Sequence, residues 1–560
     1  MSYYSTSITN GLMQLKMLLV KHLILHQLIK DGDTPDTCQA DVLKRILERN
    51  KDTEFAKHYD FTSITNISDF IKRIPIHDYE ELRPYIEKQI ATGEYSIIPG
   101  KPVMYAQTSG TTGKPKYVPI LKSTIESYKQ TQRISSYTQY RDIPGIFSGK
   151  ILAIVSPAIE GHLSNGTPYG SMSGLVYQNM PDVILSKYVL PTEIFDLTDY
   201  ETKYRLIAAF ALRENDISCL ATANPSTLIR ISEVINQHSE QLIEFVKTGN
   251  LDVLGIALNS EQKNQFTLYR NPKPQRAILL KTLQEDKGEL RFCDIWPCLK
   301  GVVTWTSGNC ALLLPKLRKQ LLPEIRVVEM GYLSSEFRGT ITIDCEQNFG
   351  IPTIQDNFFE FAEVDSWDNG NQNTLLLSQL EAGRKYYIIV TTPHGLYRYF
   401  INDIIVVTGC FQNTPTIAFV QKGKGFTNLT GEKLYESQVI AAVQETAKAH
   451  GIVAELFIML ADKNDFSYRL YLESTYVFDV LDFARQLNTY LGELNIEYLS
   501  KAQSGRIKFA DVKRLKSGTF EAYKAFCIKA GQREGQFKVL KLQYYSDVQF
   551  PFEEHIEPWN

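Results

Sequence analysis

Cysteine is scarce in this chain of 560 residues: there are eight, at Cys38, Cys219, Cys293, Cys298, Cys310, Cys345, Cys410 and Cys527, and no Cys-x-x-Cys pair. So few, so scattered, they exclude a disulfide framework and fit free buried thiols in a reducing compartment, with the cytoplasm the expected location. Cys293 and Cys298 are the nearest pair, and neither a second pair nor a neighbouring histidine stands at zinc-finger spacing. The nine histidines are read as forming no metal pair, and no Gly-x-Ser-x-Gly elbow is present for a hydrolase triad. An excess of one charge is also missing. Sixty basic against 63 acidic side chains leave a formal charge of −3, which gives no general field for gathering nucleic acid or anionic lipid. The one segment with the look of a signal or anchor, GLMQLKMLLVKHLILHQLI from Gly11, is interrupted by Lys16, Lys21 and His22, and no small-residue cleavage site follows. Its leucines recur at helical spacing, so an amphipathic helix packed on the body is expected, and no membrane partner.

What is present describes an ordinary globular chain, 43% apolar and 22% charged, long enough for more than one domain. VLKRILERN from Val42 and YEELRPYIEKQIATG from Tyr79 carry apolar residues on one helical face, so the opening hundred residues read as mostly helical. Further on, short apolar runs alternate with helical stretches: ILAIVSP at Ile151, SCLATAN at Ser218, GVVTWTSG at Gly301, EIRVVEMGY at Glu324 and YYIIVTTP at Tyr386. These predict buried strands in a largely parallel α/β body, with ligand chemistry at the strand ends. Past residue 420 the pattern changes. A Gly- and Lys-rich stretch, QKGKGFTNLTGEK from Gln421, precedes a helix from about Glu436, strands at AELFIML and YRLYLES, a helix at FDVLDFARQLNTYL and a closing strand near FKVLKL. The expected division is an N-terminal domain over 1–420, a hinge over 421–431 and a smaller C-terminal domain over 432–560.

Three clusters carry chemistry. AQTSGTTGKPKYVPI, from Ala106, combines glycines that let backbone N–H groups approach a phosphate with hydroxyl donors and two lysines, a composition suited to an oligophosphate. It is not a Walker A loop, since Thr108 and Pro115 occupy positions where that motif needs Gly and Ser or Thr. GYLSSEFRG, Gly331 to Gly339, follows a predicted strand with an aromatic, two hydroxyls and a carboxylate, which suit a base, a phosphate and a magnesium ion. A helix start capped by Ser335 with Glu336 in its first turn is the competing structural reading. In GLYRYFINDIIVVTG, from Gly395, Asp403 is placed to accept ribose hydroxyls or simply to make a turn. His162, within EGHLSNG, is a loop or core histidine before it is a base.

In this order the clusters resemble the adenylate-forming superfamily of acyl-CoA synthetases and firefly luciferase, and the whole chain resembles the Gretchen Hagen acyl acid amido synthetases. The resemblance extends through RNKDTEFAKHYDF, IPIHDYEELRPYI, SPAIEGHLSNGTPYGSMSG, NPSTL, IWPCLKGVVTW, FFEF, GEKLYESQV and RLKSGTFEAYKAFCIKAGQREGQFK, with the short GEKL form closer to bacterial relatives. It implies a large α/β adenylate-forming domain with parallel sheets and a smaller mobile α+β cap, and ATP and Mg2+ as cofactors. The implied activity joins a carboxylic acid to an amine, typically an amino acid, through an acyl adenylate. Transfer to coenzyme A or a carrier thiol, or a nucleotide-binding regulator that has lost turnover, are the alternatives.

Carried over by motif, Ser109, Gly110, Thr111, Thr112, Gly113 and Lys114 surround the ATP phosphates, and Tyr332, Ser334, Ser335 and Glu336 receive adenine, the α-phosphate and magnesium, with Glu336 the metal ligand. Asp403 takes the ribose, although the family's Tyr-Arg-x-Gly-Asp reads Tyr399-Phe400-Ile401-Asn402-Asp403, with Arg398 as a possible substitute for the missing Arg. Lys422 and Lys424 fall on the superfamily's hinge loop, and Lys538 on the C-terminal lysine that assists adenylation beside Glu336.

Overall fold

The N-terminal part of the chain is helical for reasons visible in its caps. In this computed structural model, which describes residues 6–108, 115–180, 182–423, 426, 427, 429, 432, 434–503, 507–532 and 537–558, Pro35 opens α1 (Pro35–Asn50) at its first turn, where a missing N–H costs nothing. Asp78 caps α2 (Tyr79–Thr92) by accepting from Glu81 N–H while Glu81 reaches back, and left-handed Gly93 ends it. The segment before α1 packs one face only. Met13, Met17 and Val20 are buried with Tyr137, whereas Leu12, Leu15, Leu18, Leu19 and Leu23 face solvent. The expected packing on the body thus holds for half the helix, and Gly11–Asp33 is long and apolar enough to cross a bilayer by length and composition.

An antiparallel pair, β1 (Met104–Thr108) and β2 (Lys116–Ile120), brackets the Gly-rich loop, and α3 (Lys122–Asp142) follows directly. Then come β3 (Lys150–Ile154), α4 (Tyr200–Leu212), β4 (Ile217–Thr222), α5 (Pro225–Gln237), β5 (Gly301–Thr304) and β6 (Arg326–Glu329). The four strands form one parallel sheet in the order β3-β4-β5-β6. Unbroken burial over Ile217–Leu220 in β4 marks a strand covered on both faces, which is why these runs show no polar alternation. Leu152, Leu220, Val302 and Val328 join Leu206, Phe210 and Leu228 of the helices in the main core.

The run at Tyr386, expected to extend that sheet, belongs to another. β7 (Phe358–Glu363), β8 (Lys385–Thr391), β9 (Tyr399–Phe411) and β10 (Thr414–Lys422) form a second sheet in that order, with β7 and β8 antiparallel. A strand buried on both faces reads the same in either kind of sheet, so composition alone does not separate them.

The chain divides into two compact units. The larger contains the residues up to Thr108, Pro115–Ile401 and Val406–Phe419, and the smaller contains Asn402–Ile405 and the chain from Val420 onward. In the smaller unit, α6 (Glu436–Ala449), β11 (Leu456–Asp462), β12 (Ser467–Glu473) and α7 (Val480–Leu494) occur where the sequence placed them. β13 (Asp511–Leu515) and α8 (Thr519–Lys529) are additional. The closing strand is shorter and later than expected, β14 (Leu542–Tyr544). The sheet order is β13-β12-β11-β14, with Leu456, Ile458 and Tyr471 packed on Tyr523 and Phe552.

Candidate functional site

Where β6 ends, Glu329 ties two strand ends together. Its Oε2 accepts from Thr306 N–H at 2.8 Å and from the Thr306 and Ser307 hydroxyls at 2.6 and 3.2 Å, and its Oε1 accepts from Gly331 N–H at 3.0 Å. A buried carboxylate with four donors is fully satisfied, so it fixes the loop after β5 against the loop after β6. This is the carboxyl end of the parallel sheet, the place where open α/β sheets bind ligands.

The chain then makes a tight hairpin rather than a helix start. Leu333 bridges Arg338, and Ser334 N–H donates to the Phe337 carbonyl at 3.1 Å. Gly331 adopts φ 98°, and a Cβ on Gly339 would lie 2.1 Å from the Tyr332 ring, so both glycines are required for the hairpin to close. The Tyr332 ring is buried and stacks on Phe419 at 5.7 Å with 12° between planes. Ser334, Ser335 and Glu336 remain half-buried at the tip.

Two buried side chains hold this hairpin in place. Arg338 donates to Gln132 Oε1 at 2.9 Å and Ser135 Oγ at 3.1 Å on α3, with its guanidinium 5.4 Å from the Tyr128 ring centroid. His394, only 2% exposed, lies with Nε2 2.8 Å from the Glu336 carbonyl oxygen. Burial pushes its imidazole down to about 4, so the ring is neutral. Between the hairpin, α3 and the 393–394 turn lies a cleft of about 440 Å3, counted with its part open to solvent. Asp356 lines it too, its carboxyl raised by burial while a hydrogen bond from Ser127 opposes the shift.

The ribose-motif corner departs from expectation in an informative way. Asn402 has φ 59°, the left-handed conformation that Gly supplies freely and Asn tolerates better than most residues. The Gly missing from the motif is therefore replaced by a residue able to keep such a backbone. Arg398 is not available as a substitute for the missing Arg. It is buried and makes a bidentate pair with Glu360, 2.9 and 2.7 Å, and donates to the Ile71 and Ile74 carbonyls at 2.8 and 2.6 Å. Phe400, in the position of that Arg, stacks on Trp367 at 4.8 Å. Asp403 is buried and bonded to the Lys422 ammonium.

The hairpin lies in the larger unit and the Asp403–Lys422 pair in the smaller. Ser109, Gly110, Thr111, Thr112, Gly113, Lys114 and Lys424 lie outside the described residues. Lys538 is exposed, beside buried Phe537, in an irregular stretch rather than on a strand. His162 is exposed in a short strand. One histidine pair does stand four apart, contrary to the sequence reading, but His22 and His26 are both exposed. Among the described residues no group of three or more His, Cys, Asp or Glu is arranged to hold a metal. Glu329, Arg338 and His394 went unrecognised in the sequence. Only the position of Glu329 at the end of an apolar strand signalled anything, because the partners of all three come from distant segments.

The chain matches the GH3 family N-terminal domain over residues 24–327, the GH3 family central domain over 350–422 and the GH3 family C-terminal domain over 437–544. It is 24% identical over 537 residues to indole-3-acetic acid-amido synthetase GH3.4 of Arabidopsis thaliana, covering 90% of this chain and 89% of that protein. The solved GH3.15 acyl acid amido synthetase superposes with a TM-score of 0.83 at 22% identity, over 95% of this chain and 96% of the other. A 2-hydroxyisobutyryl-CoA ligase in its postadenylation state shares the fold more distantly, with a TM-score of 0.50 at 10% identity over 92% and 88% of the two chains. With the N-terminal family domain alone spanning more than half its length and the other two following in order, the chain belongs to the GH3 family.

Proposed function

We propose that this protein is an ATP-dependent acyl acid amido synthetase, which activates a carboxylic acid as an acyl adenylate and passes the acyl group to an amino acid. The observation that carries the reading is the collinear match of all three family domains, in a chain whose β6 hairpin presents Ser334, Ser335 and Glu336 at the mouth of a cleft. A relative with 24% identity is named for joining indole-3-acetic acid to an amino group, which supports an amine acceptor over a thiol.

A carboxylate is a weak nucleophile and its oxygen a poor leaving group. Attack of the acid's oxygen on the ATP α-phosphorus forms a new P–O bond, breaks the bond to the β-phosphate and releases pyrophosphate. Ser109–Lys114 hold the phosphates, Tyr332 and Asp403 take adenine and ribose, and Ser335 donates to the α-phosphate, the Ser334 hydroxyl being given to the Phe337 carbonyl at 3.1 Å. A magnesium ion uses one or two carboxylates together with substrate phosphates, and half-buried Glu336 fits that demand. When bound, the ion neutralises charge that builds on the phosphate oxygens. Lys538 adds its charge in the adenylating arrangement. An unprotonated amine then attacks the acyl carbon and AMP leaves. The smaller unit acts as a cap that turns at 421–431, with Lys422 on the hinge loop and Lys424 at the pivot, keeping water from the adenylate.

The test is acid-dependent ATP–pyrophosphate exchange, followed by amino-acid-dependent AMP release with the amide identified by mass spectrometry. Exchange without amide but with a thioester on adding coenzyme A would assign a thiol acceptor. Absence of exchange with every acid would leave a nucleotide-binding regulator. Cysteine usage, with Cys298 and Cys410 exposed as free thiols, supports a cytoplasmic location, which cell fractionation checks.

A further inference from the structure

The N-terminal helix carries an outer face that neither the fold nor the proposed chemistry uses. Thr6–Leu19, the π-turn Val20–Leu25 and His26–Asp33 follow one another without a break in the helical backbone. On the inner side Met13, Met17 and Val20 pack with Tyr137, and Ile24, Leu25, Tyr140 and Phe147 are partly buried around them. On the other side Leu12, Leu15, Leu19 and Leu23 recur at spacings of three, four and four, and Leu18 widens the stripe. These five side chains are 45% to 67% exposed. Single exposed leucines are ordinary on a protein surface, but five on one helix face mark a surface with a partner.

Charge decides what fits that stripe. From Met1 to Lys30 the sequence holds Lys16, Lys21 and Lys30 and no Asp or Glu. Lys21 and Lys30 are exposed and Lys16 half-buried, and exposed Arg133 on α3 is close enough to act on the Lys16 ammonium as a like charge. Acidic groups begin only at the far end, where Asp31 is bonded to Gln27 and Gln355. A second copy laid along the leucines would set these lysines against their own kind, and five leucines fall far short of the roughly 20–30 residues a side of a stable interface. An anionic bilayer answers both features, because the leucines enter the headgroup boundary while the lysines reach lipid phosphates along their aliphatic stems. With its inner face committed to Tyr137, the helix lies along such a surface and does not cross it.

We infer that the Leu12–Leu23 face docks this protein peripherally on an anionic lipid bilayer, contrary to the sequence expectation of no membrane partner. The formal charge of −3 behind that expectation is a sum over the whole chain and conceals a terminal segment of one sign, whereas a charged surface acts only over about 10 Å. The inference does not depend on the adenylation reading.

The experiment measures co-sedimentation of the full-length protein with vesicles of phosphatidylcholine alone and of phosphatidylcholine mixed with phosphatidylglycerol. The expected result is binding to the mixed vesicles about tenfold or more stronger than to the neutral ones, and weakened by added salt. Leu15→Ser combined with Leu19→Ser, both at exposed positions, should lower that binding by about tenfold or more with a melting temperature near that of the wild type. Lys21→Glu combined with Lys30→Glu should weaken it on a similar scale. Leu19→Trp keeps the face apolar, and quenching of its emission by brominated lipid, above that of the four native tryptophans, reports the contact even if the serine variant fails to fold. Absence of binding to mixed vesicles, equal binding to neutral ones, or binding that the leucine and lysine variants leave unchanged overturns the inference. So does a dimer in sedimentation velocity that Leu15→Ser with Leu19→Ser dissociates, which gives the stripe to a second copy. Release from the bilayer only by detergent makes the helix a span and overturns it as well.

Discussion

Asp403 and Lys422 form an ion pair between β9 and the end of β10, in which the carboxylate is 3% exposed and the ammonium 39% exposed. The pair joins the proposed ribose ligand to Lys422 on the proposed hinge loop, so a movement of the hinge would be felt at the nucleotide. Asp403→Asn is expected to raise the KM for ATP in the exchange assay about tenfold or more, without reordering the acids. A changed acid preference would place Asp403 in the acid pocket instead. Lys422→Met leaves a buried carboxylate without this counter-charge and should cost about 1–3 kcal/mol in denaturant unfolding, less than a fully buried pair because the ammonium meets water.

Arg398 and Glu360 give the complementary prediction. Their side chains are 6% and 1% exposed and doubly bonded, so removing either partner strands a buried charge. Glu360→Gln and Arg398→Met are each expected to lower stability by about 3–5 kcal/mol. In whatever folded protein remains, the KM for ATP should be close to that of the wild type, since Arg398 is committed to Glu360, Ile71 and Ile74. A selective loss of ATP affinity with normal stability would return Arg398 to the nucleotide.

The difference between those two corners shows what a sequence can carry. Helical faces and continuous apolar runs are local, so α2, β3, β4, β5 and β6 were readable from the apolar face of YEELRPYIEKQIATG and from stretches such as ILAIVSP. Sheet membership is not local, and YYIIVTTP was assigned to the parallel sheet because nothing in its residues identifies its partner Phe358–Glu363. Candidate residues could be proposed where they are contiguous, as in Tyr332–Glu336, which the structure gathers into one hairpin. Arg338, bonded to Gln132 and Ser135, and Arg398, bonded to Glu360, acquire their roles from segments far away in the chain. The competing helix start at Ser335 does not form because Ser334 spends its hydroxyl on Phe337, closing a hairpin.

The Gly-rich loop between β1 and β2 should respond in ATP use with little loss of fold. Ser109→Ala combined with Thr111→Ala removes two proposed phosphate donors, and exchange at subsaturating ATP is expected to fall by about tenfold or more, with a melting temperature near that of the wild type. An unchanged ATP affinity and exchange rate would remove the loop from the nucleotide site.

Lys541 makes a prediction about pH. Its ammonium is buried in the smaller unit, 4.5 Å from the Phe457 ring centroid, and burial pushes it down from 10.5 to about 8. The native state therefore releases this proton before the unfolded state does, and the penalty for a buried charge is complete below pH 8. As pH rises from 8 towards 10.5 the unfolded chain binds the extra proton, so this contribution to stability rises with pH, by about 3 kcal/mol over the full window. Lys541→Met lacks the term. Its stability advantage over the wild type, measured by denaturant unfolding, should be largest near pH 7 and shrink by pH 9.5, whereas a constant difference would show that Lys541 is not desolvated.

Lys538 and Lys424 test the two-step cycle, because a lysine needed only for adenylation affects the half-reactions unequally. If exposed Lys538 meets the α-phosphate only in the adenylating arrangement, Lys538→Ala should lower pyrophosphate exchange by about 10²-fold or more, the scale of losing a preorganised charge contact. Amide formation from a supplied acyl adenylate should persist. Lys424→Pro, which fixes φ at the proposed pivot and restricts the residue before it, should show the opposite bias, with exchange retained and amide release slowed. Lys541→Met, three residues from Lys538 and buried, serves as the control for a change in the same segment that should leave both steps intact. If Lys538→Ala and Lys424→Pro slow both steps alike, or neither, the smaller unit is a static lid and the alternation of two arrangements is wrong.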